Sequence, residues 1–138
     1  MRKSVIAAMA GLAGAASLVL NAPGASAEPN PAGCEKGYFC IWSGQNQTGT
    51  RLVHAAGNWS GSVTGRSVFN NGVAFPGADH IQLDWTYNGL NWTECFHYNT
   101  PSTPSSSNGH KDNWVGVQFT RAVWRGECGP GEDQPHRR

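Results

Sequence analysis

At 138 residues, with 14% charged and 38% hydrophobic side chains and a formal charge of +1, the chain is sized for one small domain. That charge balance leaves no basic stripe for nucleic acid or an anionic membrane surface.

The chain opens MRKSVIAAMAGLAGAASLVLNAPGASA. Arg2 and Lys3 form a charged start, Val5 to Leu20 is an uncharged run of sixteen residues, and Ala25-Ser26-Ala27 is the small-x-small pattern that signal peptidase cuts after. The run falls short of the ~20 apolar residues that span a membrane. Residues 1–27 are therefore expected to be a cleaved signal peptide, and the protein to be secreted and extracellular. The mature chain, Glu28 to Arg138, keeps eight basic residues against nine acidic ones. Residues 28–33 read as a short leader.

From Cys34 to Cys128 the pattern is that of strands and turns: apolar runs are short, glycine is frequent, and aromatic and β-branched residues cluster. YFCIW (38–42) predicts a strand, SGQNQTG (43–49) a turn, TRLVHA (50–55) a return strand and GRSVFNNG (65–72) a further strand. HIQLDWTY (80–87) alternates, placing Ile81, Leu83 and Trp85 on one face. NGLNW then turns the chain into TECFHY. After a Ser/Pro tract, read as a flexible insertion over 100–109, NWVGVQFTRAVW places Val115, Val117 and Phe119 on one face. Residues 129–138 read as a disordered tail. FCIWSGQNQTG and IQLDWTYNGLN each join an aromatic strand to an Asn/Gly turn, and each is followed by a later strand. Such a repeat implies an all-β double Greek-key sandwich.

Cys34, Cys40, Cys95 and Cys128 all lie in the exported part, and an even count in a small secreted domain implies two disulfides. Three connectivities are possible, and proximity favours Cys34 with Cys40 and Cys95 with Cys128. No C-x2-C or H-x3-H spacing supports a metal site instead. Catalytic motifs are missing too: there is no G-x-S-x-G, H-E-x-x-H or glycine-rich phosphate loop. Asp79, Asp84 and Glu94 are scattered, and Asp79-His80 and His97 read as surface or hairpin polar residues. The chain is thus expected to be no enzyme and to need no cofactor. Six tryptophans admit a sugar-stacking face, though a thin core of large aromatics accounts for them as well.

GCEKGYFCIWSGQNQTG, GRSVFNNG and IQLDW…EC together resemble the Streptomyces metalloproteinase inhibitor family. The resemblance implies a βγ-crystallin-like fold and a monomer that blocks a secreted thermolysin-like metalloendopeptidase. It places the reactive bond at Cys95–Phe96, flanked by Glu94 and His97, with Phe96 filling the apolar pocket that such enzymes place after the scissile bond. The family's reactive cysteine pairs a few residues downstream, whereas the next cysteine here is Cys128. Relatives with this fold also bind calcium through an N/D-N/D-x-x-S/T-S pattern. SVTGRS (62–67) and DNWVGV (112–117) depart from it, so no metal is expected. The competing reading is an extracellular module that binds cell-wall carbohydrate or a protein partner through exposed aromatics.

Overall fold

The computed structural model describes residues 33–100, 109–112 and 114–138. The expected signal peptide and all but the last residue of the expected leader lie outside them, as does most of the expected Ser/Pro insertion.

The described chain is all β. Its strands are β1 (Tyr38–Trp42), β2 (Arg51–Ala55), β3 (Trp59–Gly65), β4 (Ser67–Asn71), β5 (His80–Tyr87), β6 (Leu90–Phe96), β7 (His110–Lys111), β8 (Val117–Arg125) and β9 (His136–Arg137). They form two antiparallel sheets, ordered β2-β1-β4-β7 and β3-β8-β5-β6-β9. The repeat seen in the sequence is a repeat of topology. Strands β1 to β4 and β5 to β8 are equivalent units, and each gives its third strand, β3 or β7, to the other unit's sheet. Neither unit can close its sheet alone, and the exchange locks the double Greek-key sandwich together.

Turn chemistry follows the predicted places. Asn88 and Gly89 both take positive φ, 51° and 73°, and Tyr87 pairs directly with Leu90 across the two-residue loop. This is the turn whose twist matches paired strands, and Asn-Gly adopts it at least cost. The β1–β2 turn likewise carries Asn46, Gln47 and Gly49 at positive φ.

Strand β1 is buried on both faces, which its continuous apolar run anticipates. Phe39 and Ile41 face the inter-sheet core with Val53, Val68, Ile81, Leu83, Trp85, Phe96, Val117 and Phe119. Cys40 and Trp42 face outward into a second cluster with Cys34 and Phe69. The Cys34–Cys40 disulfide holds the start of the domain over that outer face, and Cys95–Cys128 ties β6 to the segment after β8. Both bridges pair as proximity favoured.

Three expectations need correction. Val115 does not share a face with Val117 and Phe119. Gly116, at φ 98°, breaks the register, leaving Val115 65% exposed while Trp114 turns inward. The Trp114 ring lies 4.9 Å from Phe119 and 5.1 Å from Trp85. The last ten residues do not trail off. Strand β9 pairs with β6, and Arg138 joins Arg121 on the buried carboxylate of Asp84, at 2.9 and 2.6 Å. Strand β3 went unpredicted, because WSGSVTG is serine- and glycine-rich and mostly exposed at a sheet edge.

Candidate functional site

Glu94, Cys95 and Phe96 close β6, and His97 follows it. Ile81, Gln82 and Leu83 of β5 pair with Phe96, Cys95 and Glu94 along one side of the strand. On its other side the Cys95 amide donates to the Glu132 carbonyl at 2.7 Å. The three side chains from Glu94 to Phe96 are at most 2% exposed, and Phe96 belongs to the inter-sheet core. The sequence resemblance placed the reactive bond here, and the fold puts Cys95–Phe96 inside a paired strand. Entry of that bond into a protease cleft requires the end of β6 to leave the sheet and Phe96 to leave the core. Extracting the ring alone costs about 2–3 kcal/mol of lost burial.

The polar groups around this strand end are tied into the fold. Lys111 of β7 donates to Glu94 Oε2 at 2.7 Å, an ion pair that bridges the two sheets. Burial pushes the Glu94 carboxyl above the ordinary carboxylate range, and the Lys111 charge opposes the shift. The Lys111 ammonium also sits 4.9 Å from the Trp114 ring centre. His97 contacts His80, Nδ1 to Nε2 at 2.6 Å, and His80 Nδ1 meets Asp79 Oδ1 at 2.6 Å. Burial first, and the neighbouring His80 second, hold the His97 imidazole below its ordinary pKa. Asp79 and His80 are therefore buried network members and not the surface residues their sequence suggested. His80, His97 and Cys128 converge within metal-ligand distance of one another. Cys128 Sγ, however, is bonded to Cys95 and offers no thiolate.

Beside this network lies a loop with exposed apolar side chains. Residues 72–79, GVAFPGAD, join β4 to β5, and Val73 and Phe75 are 54% and 62% exposed. Both ends of the loop are fixed from below. The buried Asn70 amide lies 3.0, 3.2 and 3.1 Å from the carbonyls of Asp79, Phe96 and His97, and its Oδ1 accepts from Gly72 N–H at 3.0 Å. Asp79 Oδ2 accepts from Phe75 N–H at 3.1 Å, and Ala78 N–H donates back to the Phe75 carbonyl at 3.0 Å. A Cβ on Gly72 would meet Trp124 at 2.9 Å, so the base of the loop accepts only glycine. Alongside Phe75 and Val73 lies a hollow floored by Gly37, Gly57, Asn58 and Trp124. Sequence reading passed over this loop because its apolar residues, set between Gly72 and Pro76-Gly77, have no strand or helix period. The signal that marks it is the same composition read differently: large apolar residues inside a turn, where burial cannot account for them.

The fold is thus a disulfide-stapled Greek-key sandwich with buried titratable groups and an exposed, braced apolar loop. The model of peptidase inhibitor family I36 matches residues 27–98, just over half of the chain, and the chain belongs to that family. It is accordingly an inhibitor with a protease as partner, and not an enzyme. No curated protein and no solved structure matches it.

Proposed function

We infer that the protein is a secreted, monomeric inhibitor of thermolysin-like zinc endopeptidases, built on a βγ-crystallin-like domain and released after removal of residues 1–27. The observation that carries this reading is the inhibitor-family match across both Greek-key strands β1 and β5 and through β6. The sequence resemblance to metalloproteinase inhibitors adds the target class. Two disulfides support action in an oxidising compartment, where such bridges persist. The test is a titration of oxidised protein against thermolysin, with a serine and a cysteine endopeptidase alongside. Loss of thermolysin activity alone is the expected result.

One observation favours a second reading, a binding module for cell-wall carbohydrate. Trp85, Trp92, Trp114 and Tyr87 line a hollow where the core-facing side of the second sheet opens to the surface, bordered by the exposed Val115. Aromatic faces of this kind stack on sugar rings. Quenching of tryptophan fluorescence by soluble cell-wall polysaccharide, with thermolysin activity untouched, is the result that reading predicts.

A further inference from the structure

We propose that the β4–β5 loop is the segment that contacts the protease, and that the exposed Phe75 side chain enters an apolar pocket of its cleft. The inference rests on the inhibitor reading above and assigns its contact site.

Accessibility separates the two candidate segments. Phe96 is 1% exposed inside a paired strand, while Phe75 is 62% exposed on a segment outside both sheets. A segment already outside the ladders reaches a cleft without leaving a sheet, and the turn closed by Ala78 N–H onto the Phe75 carbonyl offers the Phe75 side chain while the main chain keeps its own bonds. Loop residues 72–78 carry no charge, which suits an apolar pocket whose occupation would otherwise strip water from an ion.

Rigidity is the second requirement, since a mobile loop loses affinity to ordering and is cut as a substrate. Here the restraint does not come from a local disulfide. It comes from the Asn70 amide and the Asp79 carboxylate, which hold both ends and the Phe75 amide itself. A Cβ on Gly126, just after β8, would come 3.2 Å from Gly77 Cα, so the loop packs closely against the segment that leaves β8. Packed and hydrogen-bonded on both flanks, the loop meets the enzyme in a single shape.

The neighbouring surface leaves room for a cleft wall. A Cβ on Gly37, Gly57 or Gly77 would meet nothing within 4 Å, and Gly37 and Gly57 floor the hollow beside Phe75.

The test compares inhibition of thermolysin by the oxidised full-length secreted protein and three variants. Phe75→Ala is expected to weaken inhibition about a hundredfold, the cost of truncating a central buried aromatic anchor. Phe75→Leu should restore most of the loss, since the pocket asks only for a large apolar side chain. Gly57→Trp, at a position with ordinary φ, should weaken inhibition at least about tenfold by filling the hollow beside Phe75. A thermal denaturation midpoint close to that of wild type in each variant confirms that the fold is intact. Hydrogen exchange of the complex should show new protection across residues 72–79. Wild-type inhibition retained in Phe75→Ala, with protection or a nick centred on Cys95–Phe96, overturns the loop assignment and leaves the inhibitor reading standing. Absence of inhibition by the wild-type protein overturns both.

Discussion

Asn70 acts as a joint between three segments, because one buried amide faces carbonyls from the loop end and from both sides of the β6 terminus. Replacement by alanine strands several buried acceptors at once. Asn70→Ala should therefore cost about 2–3 kcal/mol, read as a lowered denaturation midpoint at constant m-value. A residue two positions along in the chain, Gly72, loses its partner in the same variant. Two titrating groups near this joint give the stability opposing pH dependences. Glu94 is raised above 4.5 by burial, so the folded state holds its proton more tightly than the unfolded chain. Its penalty is present at neutral pH and is relieved as pH falls from the raised folded value toward 4.5. His97 is lowered below 6.5, so the unfolded chain takes up a proton first and stability is lost as pH falls below 6.5. Glu94→Gln should remove the gain on acidification, and His97→Gln the loss. Thermal melts from pH 7.5 to 4 on both variants check the two signs; a shared slope with wild type in either contradicts the assignment.

At the scale of elements, the chain end is a part of the second sheet. Strand β9 covers the edge of β6 at Trp92 and Thr93, and the Arg137 guanidinium lies 5.0 Å from the Trp92 ring centre. Deleting residues 134–138 should cost about 1 kcal/mol, because Arg121 stays on Asp84 and the lost Arg138 contact is half-exposed. The tryptophan emission should shift to the red as Trp92 gains water, and an unshifted spectrum would contradict this packing. The Cys95–Cys128 bridge carries more: its removal should cost about 3–4 kcal/mol in the chain-entropy model. Much of this architecture was legible in the sequence. Alternation placed Ile81, Leu83 and Trp85 on the core face, and Asn88-Gly89 announced its hairpin. What escaped was decided by long-range pairing. WSGSVTG becomes β3 because β8 offers it a free edge, and GPGEDQPHRR is ordered by a carboxylate at Asp84, over forty residues upstream. No local period records either fact. The loop at 72–79 escaped for a different reason, since exposure of Phe75 is a property of the assembled fold.

For the molecule as a whole, two exchanged Greek-key units and two disulfides make a scaffold whose surface features hold their shape. An inhibitor needs that property more than it needs reactive groups: binding then spends little on ordering, and hydrolysis gains little by cutting a chain whose ends stay in place. Membership in a peptidase inhibitor family and a braced apolar loop meet at this point. The most direct test is a tight-binding titration of thermolysin with the oxidised mature protein. Activity is expected to fall linearly with added protein toward one equivalent and to stay suppressed on prolonged incubation. Full thermolysin activity at a large molar excess would contradict the inhibitor reading.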